Sequence, residues 1–117
     1  MNELSFQKEY KLSQLITDIA LRGYTSDNFC LYTKEYTSSA SKELVVYLER
    51  FPTINDRDEE EYPYFVVKNK LELFFYGEQF EDVLTSALNQ NKNASIDDFI
   101  AALNFYLNND AFITFGP

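Results

Sequence analysis

The sequence predicts an α+β fold: a small, mostly antiparallel sheet with one helix before it and a C-terminal helical hairpin packed on one face. Apolar residues recur at helical spacing in one stretch near the start and in two near the end. Between them lie short runs rich in Val, Leu, Tyr and Phe, bounded by turn-forming residues. The sharpest single signal is Ser95 with Asp98 three residues on, a helix start in which hydroxyl and carboxylate each satisfy a free backbone N–H.

The first helix is expected over residues 10–22, where Leu12, Leu15, Ile16 and Ile19 form one stripe and Gly23 follows at the C-terminus. Residues 28–33 (NFCLYT) and 43–49 (ELVVYLE) read as strands close enough in sequence to pair, with the polar loop TSSAS between them. Residues 51–63 carry Pro52, Asn55 and Pro63 and the charged run DRDEEE, and read as an exposed loop of about ten residues. Residues 64–70 (YFVVKNK) and 71–76 (LELFFY) both read as strand, either one bent strand or two turning near Lys68 to Lys70. After Gly77, the residues Phe80, Val83, Leu84, Ala87 and Leu88 mark the second helix, which runs out in NQNKNA. The third spans residues 95–110 with Ile96, Phe99, Ile100, Leu103 and Leu107 on its buried side, and residues 111–115 (AFITF) read as a short extended close. Residues 1–117 read as a single domain.

Hydrophobic residues make up 45% of the chain, with 11 Phe and 9 Tyr, enough to build a core and to leave amphipathic tyrosines for a half-buried contact surface. The net charge of −9 is uneven. Residues 1–54 hold seven acids and six bases, whereas residues 55–117 hold twelve acids and four bases. Such a field repels nucleic-acid phosphate and anionic lipid and attracts basic proteins, so neither nucleic acid nor membrane is expected as a partner. Cys30 is the only cysteine, the first ten residues lack the layout of a signal peptide, and no apolar run approaches the ~20 residues of a membrane span. A cytoplasmic location is expected.

Residue chemistry points away from catalysis. The chain has no histidine, which removes imidazole triads and most zinc sites. Cys30, between Phe29 and Leu31, reads as a small buried hydrophobe. With glycine only at positions 23, 77 and 116 there is no phosphate-cradling loop. Asp56, Asp58, Glu60 and Glu61 could gather a hard cation, but the loop lacks the glycine and ligand alternation of a calcium-binding hand. Glu78 and Asp82, at i, i+4 spacing, read as a solvated helix face. No enzyme activity, metal or cofactor is expected. What remains is recognition: Asp56, Asp58, Glu59, Glu60 and Glu61 steer a basic partner, and Tyr62 supplies a contact. The rival acidic surface is Glu78, Glu81, Asp82, Asp97 and Asp98.

The segment SIDDFIAALNFYLNNDAFITF, preceded by LTSALNQN, resembles the closing segment of a family of small acidic bacterial proteins of an uncharacterised domain type. Size and acidity also resemble the immunity proteins of polymorphic-toxin and contact-dependent growth-inhibition systems. That resemblance implies a protein that binds the C-terminal domain of a cognate toxin, typically a basic nuclease, and blocks it by occlusion. The alternative is a nucleic-acid mimic or another acidic protein-interaction module.

Overall fold

Strand β2 (Phe29–Thr33) is buried along its whole length, which places it at the middle of the sheet with both faces covered. The computed structural model describes residues 4–24 and 28–112. The sheet also contains β1 (Glu9–Lys11), β3 (Val45–Arg50) and β6 (Glu72–Tyr76), in the order β1-β3-β2-β6. Every neighbouring pair is antiparallel, and β2 and β3 pair directly, Leu31 opposite Leu48.

Alternation along the strands sorts side chains onto two sides. Phe29 and Leu31 of β2 and Val46 and Leu48 of β3 join the main core, whereas Cys30 and Tyr32 lie in a second cluster with Tyr47 packed against it. The main core is closed by α1 (Leu12–Ile16), α3 (Gly77–Gln90) and α4 (Ile96–Asn109). Phe80, Phe99, Leu12, Leu15 and Leu103 have no exposed area there. The C-terminal helical hairpin therefore covers one face of the sheet, as expected.

Helix α4 begins as its sequence dictates. Ser95 Oγ accepts from Asp98 N at 3.2 Å, and Asp98 Oδ2 accepts from Ser95 N at 2.9 Å. Gly77 opens α3 because the chain presses on β2 there: a Cβ would overlap the Phe29 carbonyl oxygen and lie 2.8 Å from its ring. Gly23 has φ +72, the left-handed position expected after the first helix.

Three elements depart from the sequence reading. Residues 10–22 are not one helix: Tyr10 and Lys11 belong to β1, and Thr17–Leu21 continues α1 as a π-helical turn. Tyr10 is buried from an edge strand of three residues, too short to show a period of two. Residues 64–68 are helix, not strand. Here α2 (Tyr64–Lys68) ends in a Schellman turn, with Leu71 N donating to Val66 O at 2.9 Å and Lys70 N to Val67 O at 3.2 Å. Val66 and Leu71 are buried together in the second cluster, the apolar contact that accompanies this turn. Lys70 takes φ +54 where glycine is usual, so the stop signal is missing from the sequence. Residues 51–63 are exposed but not merely a loop, because Thr53–Ile54 (β4) pairs antiparallel with Glu60–Glu61 (β5). Residues 111 and 112 form no strand, and residues 113–115 of the expected extended close lie outside the described residues.

Candidate protein-binding face

β3 and β6 both run antiparallel to β2, so the chain between them must cross the sheet, and residues 51–71 do so on the face away from the helical hairpin. This crossing carries every acidic residue that the sequence singled out as a site. Asn55 closes the β4–β5 hairpin: its Oδ1 accepts from Arg57 N at 2.8 Å and Glu59 N at 3.0 Å, and its own N donates to Glu59 O at 3.0 Å. Asp58 sits at φ +60 within that turn. Asp56, Asp58 and Glu59 are held in the turn, exposed, while Glu60 and Glu61 stand on β5 opposite Ile54 and Thr53. Because neighbouring strand residues point to opposite sides, Glu60 and Glu61 do not share one surface.

Tyr62 has a different place from that of a free contact residue. It is half-buried, and its ring meets Tyr32 edge-on at 6.3 Å and 81°. Burial, and then the charge of Glu60, push its phenol above the ordinary range; the same two causes act in that order on Tyr76. Large hydrophobic side chains are left exposed on the hairpin and its flank (Phe51, Ile54 at 63%), on α2 (Tyr64 at 77%, Val67) and at the end of β6 (Tyr76). The crossing segment thus exposes an acidic turn together with several large apolar and aromatic side chains.

Of the rival acidic set, Glu78, Glu81 and Asp82 stay together on α3, whereas the two residues of α4 have other partners. Asp98 is spent on the α4 cap, and Asp97 pairs with Lys42 at 3.2 Å. Glu81 lines a cleft of about 240 Å³ between α3 and the π-helical turn, with Ile19, Tyr24, Leu84 and Leu88. Its carboxyl is raised from the ordinary 4.5 by burial, then by Asp82 and Glu78. Cys30 is fully buried, and burial pushes its thiol up to about 11. That environment suits a packing residue, as the sequence suggested, and not a nucleophile.

The sequence reading missed Glu49. Its side chain is on the crossing side of β3, only 4% exposed, accepting from Gln7 Nε2 at 2.9 Å and from Arg50 N at 2.8 Å. Gln7 is held at φ +61, with its N donating to Leu48 O at 2.7 Å. Glu49, Gln7, Pro63, Tyr64, Phe65, Lys68 and Asn69 line an open cleft of about 520 Å³. The available signal was β2 itself: a run apolar on both faces requires cover on the second face, and Glu49 lies on that face of the neighbouring strand.

Among the described residues no helix is long and apolar enough to cross a membrane, and no group of three or more acidic or cysteine side chains is placed to hold a metal ion. The model of the DUF7716 family, a domain of unknown function, matches residues 9–115. This agrees with the resemblance of the C-terminal segment to an uncharacterised domain type and extends over most of the chain. No curated protein and no solved structure matches.

Proposed function

The chain belongs to the DUF7716 family, and from its surface we propose that it is a protein-binding inhibitor: an immunity protein that captures a basic, nuclease-type toxin domain in the cytoplasm and blocks it by occlusion. The observation that carries this reading is the ordered acidic hairpin, with Ile54 exposed on it and Tyr64 and Val67 exposed further along the same crossing segment. Asp56, Asp58, Glu59, Glu60 and Glu61 attract the basic surface, and the apolar surround supplies contact area once the partner has docked. Tyr62 acts in this scheme by holding the hairpin against the sheet through Tyr32. Occlusion requires no chemistry of the inhibitor itself. A nucleic-acid mimic would need carboxylates spaced along a face, and the split of Glu60 from Glu61 across β5 speaks against it.

The test is direct. Mixed with a toxin domain encoded beside its gene, the protein should form a stable complex, suppress the domain's activity and protect cells that express it. A toxin domain that remains active and unbound at micromolar inhibitor contradicts the proposal.

A further inference from the structure

Glu49 presents an unusual balance. Its carboxylate is almost wholly buried, yet the groups that hydrogen-bond it, the Gln7 amide and the Arg50 backbone N–H, carry no charge. Buried charges are ordinarily paired with a counter-charge, because two neutral donors offset only part of the lost hydration. Among the described residues no lysine or arginine forms an ion pair with it; the neighbouring Arg50 guanidinium lies instead over the Phe6 ring at 5.9 Å. The carboxylate lines an open cleft walled by Pro63, Tyr64 and Phe65.

We infer that this cleft is the seat for an arginine side chain of a basic protein partner, with Glu49 as its counter-charge. The inference takes its partner from the proposed function and adds the anchor residue. Three features favour a guanidinium. Gln7 donates through Nε2 to Glu49 and Asn69, also in the cleft lining, donates through Nδ2 to Phe65 O at 2.8 Å, so the amide oxygen of each remains as an acceptor in the cleft lining. A guanidinium offers five donors in one plane, which matches several acceptors better than a compact ammonium does. Its faces stack on aromatic and proline surfaces, and the Tyr64 ring already draws a cation, with Lys68 Nζ 5.8 Å from its centre. Lys68 is therefore a competitor at the rim, and removing its charge should tighten binding.

The experiment uses the full chain, ¹⁵N-labelled, titrated with N-acetyl-arginine amide and, in parallel, with its uncharged citrulline isostere. Saturable amide shifts are expected at Gln7, Glu49, Phe65 and Asn69, with the citrulline compound about tenfold weaker or more. Glu49→Gln should lose binding by about the same factor. Lys68→Gln, an exposed substitution, should bind about two- to fivefold tighter, a gain that damage to the fold would not produce. Absence of saturable shifts, equal binding of arginine and citrulline, or no gain in Lys68→Gln overturns the inference. The probe reads the cleft alone, so its failure leaves capture by the hairpin standing. Loss of hairpin capture with an intact arginine site would likewise overturn the proposed function and spare this one.

Discussion

The two faces of the sheet are built on different terms. On the helical face, long amphipathic helices bring Phe80, Phe99, Leu84 and Leu103 together with Leu31, Val46 and Leu48 in one continuous core. On the other face, a single crossing segment covers Cys30 and Tyr32 with little more than Val66, Leu71 and the half-buried Tyr62 and Phe65. The first face holds most of the buried apolar side chains and so most of the stability. The second leaves Tyr64 and the acidic residues of the β4–β5 hairpin at the surface. Under the proposed function, one face folds the protein and the other meets a partner.

The largest effect should come from breaking the helical face. Phe99→Ala removes a fully buried ring from the first turn of α4 and should cost about 3–5 kcal/mol, read by denaturant melts. A silent substitution would mean that the hairpin does not carry the core. Cys30 probes the seam between β2 and the crossing segment. Its thiol ionises near 9.0 when exposed and near 11 in the fold, so it stays protonated in the folded state while the unfolded chain loses its proton. Its contribution is thus intact below pH 9 and is lost as pH rises towards 11, on the order of 2 kcal/mol. The stability of wild type should fall more steeply across that window than that of Cys30→Ala, which lacks the group. Parallel profiles would show that the crossing segment does not shield β2. A smaller change of opposite sign is expected at Lys70, whose left-handed backbone suits glycine: Lys70→Gly should stabilise by ~0.5–1 kcal/mol in the same melts. A loss of stability there would contradict the Schellman turn at the end of α2.

The same comparison explains what the sequence made legible. The periodic stripes of α3 and α4 and the Ser95–Asp98 cap are local signals, and each predicts its element to within about a residue. The crossing face depends on long-range cover. Residues 64–68 carry β-prone Tyr, Phe and Val, but packing of Val66 and Leu71 onto Cys30 and Tyr32 holds them in a helical turn. Tyr10 and Lys11 likewise extend the helical pattern on paper, but pairing with β3 claims them for the sheet. The acidic residues of the candidate site were legible as composition. Their fixation by Asn55 depends on the turn geometry, and Glu49 became visible only when Gln7, distant in sequence, was placed beside it.

The central claim is that the acidic hairpin captures a basic partner while the helical face maintains the fold. Its most direct test replaces Asp56, Asp58, Glu59, Glu60 and Glu61 together by Asn or Gln and measures association with the partner isolated from the producing cell, across a range of salt. Exposed charges act chiefly on encounter rate. The account predicts melting close to wild type, slower association at low salt and a flatter dependence on salt. Association as fast as wild type at low salt, with the fold intact, would contradict it.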